Sequence, residues 1–192
     1  MVMKSKSKKK TCLRYQIGVM GSAADTNYSK KVEKIAEEVG MLIARNGHIT
    51  FYGAEKDSDS LSTAAARGAK KAGGMTVGVT YENGKKIWDK NGNTDVIIAS
   101  GLGRGGGREY VLVNSCDGII TVSGGSGTLN EIAVAYQLNI PIVAVKGSGG
   151  WSDRLAGEHL DSRKRLRIVS AKNSKEAVKK LLDILEKKHL NS

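Results

Sequence analysis

The chain has 192 residues, enough for one domain with a tail, and 40% of them are hydrophobic, enough for a sizeable core. Glycine is abundant (24 residues) against a single proline, Pro141, but the apolar residues fall in patterned blocks, which excludes collagen-like and disordered classes. The formal net charge is +12, of which Lys4, Lys6, Lys8, Lys9, Lys10 and Arg14 carry six, leaving +6 for residues 15–192.

A basic segment like residues 1–14 either binds nucleic acid by releasing counterions or forms a solvated, disordered leader. No aromatic residue stands among its lysines to stack on bases, so the leader is favoured and a nucleic-acid partner is not. No apolar run follows the charged start as a secretory signal requires, and no stretch of about eighteen apolar residues could span a membrane. The two cysteines, Cys12 and Cys116, form neither a CxxC pair nor a Cys/His cluster, which argues against a disulfide framework and against a metal site. A cytoplasmic protein with no membrane partner is expected.

From Tyr15 a strand–loop–helix rhythm begins. Residues 15–20 read as a buried strand. Val32, Ile35, Ala36, Val39 and Ile43 then mark one apolar face of a helix that Asn46-Gly47 stops. Residues 48–52 form the second strand and residues 61–72 an alanine-rich helix ending at Gly73-Gly74. Residues 75–79 make strand three, and the polar stretch 81–94 a surface loop. Strand 95–99, a glycine run over 101–107, a helix over 108–116, strand 118–122, a helix over 128–138 and strand 141–145 follow. Residues 146–167 are glycine-rich and basic. A last short strand is expected at 167–169, then a helix capped by Ser174. Alternating strands and helices with near-continuous apolar strands predict an α/β, Rossmann-like, doubly wound parallel sheet of about seven strands with helices on both faces, in one domain over 15–192.

In such a sheet, ligands bind beyond the carboxyl ends of the strands. The loops there are Gly21-Ser22-Ala23, Gly53-Ala54, Gly101 to Gly107 and Ser123 to Gly127, each with glycine at or just after a strand end. Ser123-Gly124-Gly125-Ser126-Gly127-Thr128 carries the sharpest signal. Its glycines let the backbone approach an anion, the following helix points free N–H groups at it, and Ser126 and Thr128 add hydroxyls. A phosphate is the expected guest; the competing reading is a tight turn that needs glycine for itself. Thr128-Leu-Asn-Glu131 also fits a capping box, which would leave Glu131 a structural role only. Arg108 opens a helix, where the dipole disfavours a bare cation, so it either meets an anion or is an ordinary exposed arginine. Gly101-Leu-Gly-Arg-Gly-Gly106 fits GxGxxG, but no acidic residue stands about twenty positions on to hold a ribose, and no GxxxxGK[ST] is present. No dinucleotide or other cofactor is expected.

The run from Arg108 through Asp117-Gly-Ile-Ile-Thr-Val-Ser-Gly-Gly-Ser-Gly-Thr-Leu-Asn-Glu131 resembles the signature of the LOG-like, "lysine decarboxylase-like" family. Its members include cytokinin riboside 5′-monophosphate phosphoribohydrolases, which carry an arginine followed by PGGxGTxxE. The similarity is greatest to the shorter branch with the molybdenum cofactor carrier proteins. It implies a Rossmann-like fold, a homo-oligomer, a phosphate site at Gly124, Gly125, Gly127 and Thr128 joined by Gly21 and Ser22, and Arg108 and Glu131 as a catalytic pair. A hydrolase would split a nucleoside 5′-monophosphate into base and ribose 5-phosphate, with Asp25 as a guess for a second acid. A carrier or sensor would hold a phosphorylated ligand, such as the molybdenum cofactor, without turnover. Three departures bear on the choice. Ser123 replaces the signature's proline, Glu109 stands where the hydrolases place a lysine, and Gly53-Ala-Glu55 replaces a triple glycine.

Overall fold

Strands β1 (Gln16–Gly21), β2 (Ile49–Gly53), β3 (Met75–Thr80), β4 (Val96–Ala99), β5 (Gly118–Val122), β6 (Ile142–Val145) and β7 (Val169–Ala171) pair in parallel throughout. They form one sheet in the order β4-β3-β2-β1-β5-β6-β7. This computed structural model describes residues 14–103 and 107–190, and the Asp25 side chain also lies outside what it describes. Of the basic tail only Arg14 is described; its Nε donates to the Gly47 carbonyl at 3.0 Å.

Successive strand residues face opposite sides, and each side of this sheet has its own helices. Ile17, Val19, Ile120, Val122, Val143 and Val145 pack under α1 (Lys30–Arg45), α2 (Leu61–Lys71) and α6 (Ser174–Leu190). Met20, Phe51, Val77, Val79, Ile119, Ile142 and Ala144 pack under α3 (Arg108–Asn114), α4 (Ser126–Gln137) and α5 (Gly150–Leu155). With both faces covered, the central strands can be apolar throughout, as the sequence reads.

Helix starts and stops follow local chemistry. Ser29 and Ser60 accept from the amides of Val32 and Thr63, capping α1 and α2. Gly73, at φ +72°, ends α2 by letting its own amide and that of Gly74 reach back to the Lys70 and Ala69 carbonyls. Helices α1 and α2 touch backbone to backbone at a glycine pair. A Cβ on Gly40 would lie 1.8 Å from the Ala65 carbonyl oxygen, and one on Gly68 would lie 1.8 Å from that of Glu37. Gly40→Ala is therefore expected to cost about 3 kcal/mol, the upper end of overpacking penalties, because two helix backbones would have to part. Urea denaturation checks this, and an unchanged midpoint would mean that the helices are not held so closely.

The structure departs from the sequence expectations in four places. Helix α5 forms where only a glycine-rich stretch was expected. It is six residues long, begins with Gly150, and is held from outside, Ser152 Oγ donating to the Ser123 carbonyl at 2.6 Å. Strand β7 lies two residues further on than expected. Ser174 does not cap α6: Asn173 Oδ1 accepts from the Glu176 amide at 2.9 Å, and the Ser174 hydroxyl donates instead to the Ile35 carbonyl. Helix α4 starts at Ser126 after the cap residue Gly125, so Thr128 is inside its first turn and the Thr128–Glu131 capping box does not form.

Candidate functional site

The chain runs from β1 outward to β4, then returns to the middle and continues from β5 to β7. The loops after the neighbouring strands β1 and β5 thus part in opposite directions, opening a crevice at the change of strand order. A cleft of about 340 Å³ lies there, with Gly21, Gly53, Arg108, Gly125, Thr128 and Glu131 among its lining residues.

Helix α4 forms one part of the lining. The amides of Ser126, Gly127 and Thr128 fall in its first turn, where no preceding carbonyl of the helix can accept them. Gly125, Ser126, Gly127 and Thr128 all line the cleft. A Cβ on Gly127 would meet nothing within 4 Å, so the first turn is open. Unpaired amides at the positive end of a helix dipole suit an anion.

The other expected phosphate residues divide by role. Gly21 lines the cleft, and its missing Cβ lets α2 approach, since one would lie 2.7 Å from Leu61 Cβ. Ser22 is buried and holds the turn in shape: its Oγ accepts from the Gly124 amide at 2.9 Å and donates to Ser123 Oγ at 3.2 Å. The Ser123 amide is likewise taken, by Ser148 Oγ at 2.8 Å. Gly124, at φ +108°, packs on the Thr128 side chain, 2.4 Å from where its own Cβ would be. Ser22, Ser123 and Gly124 thus build the turn, while the open amides come from the α4 first turn. Asp153 similarly occupies the neighbouring loop, accepting from the amides of Gly147 and Gly149.

Arg108 is 4% exposed, which rules out the ordinary surface arginine. Its Nη2 lies 3.2 Å from Glu55 Oε1 and 3.4 Å from Glu109 Oε1 and donates to the Tyr81 hydroxyl. Its guanidinium carbon sits 4.3 Å from the Tyr81 ring centre. Gly53 makes room for it: a Cβ there would be 1.9 Å from Arg108 Nη1. Among the described residues Nε and Nη1 have no hydrogen-bond partner. Burial disfavours the Arg108 charge, but Glu131, Tyr81, Glu55 and Glu109 outweigh it and hold the guanidinium above its usual pKa. Burial pushes the Tyr81 phenol up to about 12.

Glu131 is 6% exposed and lines the cleft from α4. Burial pushes its carboxyl up to about 8 despite the opposing charge of Arg108, helped by Glu109 and Glu55. Its proton is therefore held to a higher pH than a free carboxyl's, which suits it to donate or accept a proton closer to neutrality. Among the described residues, no group of His, Cys, Asp and Glu side chains is arranged to hold a metal ion. No described helix is long and apolar enough to cross a membrane.

Residues 14–178 match the model of the SLOG cluster4 family. The chain belongs to that family, which is LOG-like. A protein of Archaeoglobus fulgidus, described only as uncharacterized, is 34% identical over 131 residues, 68% of this chain and 80% of its own length. Two solved structures share the fold closely. The molybdenum cofactor binding protein of Rippkaea orientalis superposes with a TM-score of 0.74 at 25% identity, over 91% of this chain and 99% of the other. The molybdenum cofactor carrier protein of Chlamydomonas reinhardtii gives 0.72 at 29% identity, over 89% and 99%.

In this SLOG cluster4 member the two acidic departures meet on one side chain. Glu55 and Glu109 both pair with Arg108, and Tyr81, at the start of what reads as a surface loop, completes the set. Sequence reading missed this arrangement because the three residues lie 27 and 53 positions from Arg108 or directly beside it, at no helical or strand spacing. The signal present was chemical: Glu55 and Glu109 are both acids at positions where the sequence departs from the signature's glycine and lysine.

Proposed function

We propose that this protein binds and holds a small phosphorylated heterocyclic ligand, a nucleoside monophosphate or a molecule of similar build such as the molybdenum cofactor. The observation that carries the reading is the open first turn of α4, where no preceding carbonyl of the helix can accept the amides of Ser126, Gly127 and Thr128 and where all three residues line the cleft. A carrier or sensor role is supported by Arg108, which is already neutralised by the chain's own carboxyl groups rather than held ready for a reacting substrate. The described functions of the two solved relatives agree with it.

Phosphoribohydrolase activity is the second reading, and Glu131 favours it. Cleaving an N-glycosidic bond needs a proton for the departing base and negative charge near the oxocarbenium-like sugar. A carboxyl shifted to about 8, with Glu55 and Glu109 nearby, could provide both.

Incubating the full chain with AMP, GMP, CMP and UMP, while following thermal stability and free base, separates the readings. Stabilisation by about 2.7 kcal/mol at a hundred times the dissociation constant, without base release, is expected of a carrier. Free base at catalytic turnover would establish the hydrolase, and no stabilisation by any of the four would overturn the nucleotide reading. Gly125→Val locates the phosphate. Gly125 has φ −91°, and a Cβ would sit 3.5 Å from Thr26 Cγ2, an ordinary contact, so the variant should fold. It is expected to lose the ligand-induced stabilisation by crowding the anion. An equal shift in variant and wild type would put the phosphate elsewhere.

A further inference from the structure

We infer that the end of the sheet opposite the cleft docks the phosphodiester backbone of a nucleic-acid duplex, without reading its sequence. All strands of a parallel sheet start at one end, and here that end gathers exposed cations. Lys164, Arg165 and Arg167 stand exposed on the segment that leads into β7. Arg165 Nη1 lies 3.5 Å from Gln137 Oε1, and Lys188 Nζ, from the last turn of α6, lies 3.5 Å from the Asn139 carbonyl oxygen. Both therefore flank the turn that leads into β6, and Lys187 is exposed beside them. Arg14 leads into β1 at the same end. Nearby His48 feels the charges of both Arg14 and Glu186, which places Arg14 close to the end of α6. Arg14 is also where Lys10 and the lysines before it join the fold, Lys10 within about 14 Å of chain.

Local structure accounts for only part of this charge. Lys187 and Lys188 end a helix, where cations suit the dipole. Lys164, Arg165 and Arg167 belong to no helix. Arg163 beside them is neutralised by Asp161, but among the described residues no carboxylate is within ion-pair distance of the other three. Like charges gathered on one surface repel, and a polyanion offsets that cost. A duplex carries one negative charge per about 1.7 Å of its axis, a continuous line that matches a spread of cations rather than a pocket. Arginine's planar fork fits phosphate oxygens in pairs. None of these residues is aromatic, so the surface offers no platform for stacking unpaired bases. An anionic membrane would need an apolar face or a lipid chain as well, and Leu190, exposed at the end of α6, makes no such face. The cleft lies at the other end of the strands, where Glu55, Glu109 and Glu131 surround Arg108, so the duplex and the cleft's ligand do not compete.

Fluorescence anisotropy of the full chain with labelled duplex DNA and duplex RNA, each of mixed sequence, tests this as the salt concentration is varied. Wild type is expected to bind at least one of them, with an affinity that falls at least about a hundredfold between roughly 50 and 200 mM salt. The triple variant Lys164→Gln, Arg165→Gln, Lys188→Gln should flatten the slope of log affinity on log salt by about 0.9 for each cation removed. All three side chains are exposed, so the variant should melt at the wild-type temperature. Deleting residues 1–10 should weaken binding further while the effect of the triple variant persists. The duplex bound more tightly, DNA or RNA, identifies the source of the backbone. Failure to bind either duplex would overturn the inference. So would duplex binding unchanged in the triple variant, which would assign it to the tail alone, or tighter binding of a single strand of the same length. Capture by phosphatidylserine–phosphatidylcholine vesicles without duplex binding would overturn it in favour of a membrane. None of these outcomes touches the reading of the cleft, which AMP-induced stabilisation tests separately.

Discussion

Arg108→Met is expected to destabilise the protein by about 3 kcal/mol or more near pH 8, the range found when one partner of a buried ion pair is removed. The substitution keeps an unbranched, apolar side chain of similar reach but takes away the one described cation among Glu55, Glu109 and Glu131. It also empties the space that Gly53 opens and exposes the face of Tyr81. Buried carboxylates stripped of a counter-charge take up protons instead of staying ionised. The deficit should therefore shrink as the pH is lowered from 8 to 5, because the variant folded state can then neutralise them. Urea titrations at several pH values read this out. A deficit constant across that range would mean that Arg108 contributes only packing.

How far the sequence alone reaches depends on whether the information is local. Strand β5 is found at the residues that its apolar run marks, and the α2 stop at Gly73 follows from glycine's freedom to take positive φ. The parallel, doubly covered sheet follows from strands that are apolar on both faces. Helix α5 was not legible because it is six residues long and opens on a glycine, too short to show a periodic apolar face. Its opening glycine, Gly150, at φ +58°, lies against the Gly124 backbone, where a Cβ would come within 2.4 Å of the carbonyl oxygen. Its order comes from contacts made by a turn 26 residues earlier in the chain. The motif Thr128–Glu131 misled in the same way. Its residue types fit a capping box, but the turn set by Ser22 and Ser148 moves the helix start to Ser126, which frees Glu131 to face the cleft. Arg108 and Glu131 were legible as candidates through resemblance to a signature. The acidic shell around Arg108 was not, since it is assembled by strand order rather than by spacing.

Glu131→Gln carries the second large effect, and it reports on stability and function at once. In the folded protein the Glu131 carboxyl has a pKa of about 8 against 4.5 for the free side chain, with burial as the main cause. Between those values the folded state keeps a proton that the unfolded state releases. Stability therefore falls as the pH rises through that window, by at most about 1.4 kcal/mol per pH unit, and levels off above the folded-state value. Glutamine carries no charge to bury and has no such loss. The variant is thus expected to match wild type near pH 4.5 and to be more stable by about 2 kcal/mol or more at pH 9, a discounted share of the full shift. Parallel pH profiles for the two proteins would mean that Glu131 titrates like an exposed carboxylate. The same variant divides carrier from hydrolase. A carrier needs no proton transfer, so Glu131→Gln should still be stabilised by nucleotide, with no chemistry to lose. If wild type releases base, Glu131 is the group able to give the departing base its proton, and its loss should lower turnover on the order of a hundredfold or more. Because the variant is expected to be more stable than wild type above neutral pH, a fall in turnover there could not be put down to unfolding. Turnover that survived the change would assign the proton transfer to another group and leave Glu131 as a buried acid that shapes the cleft.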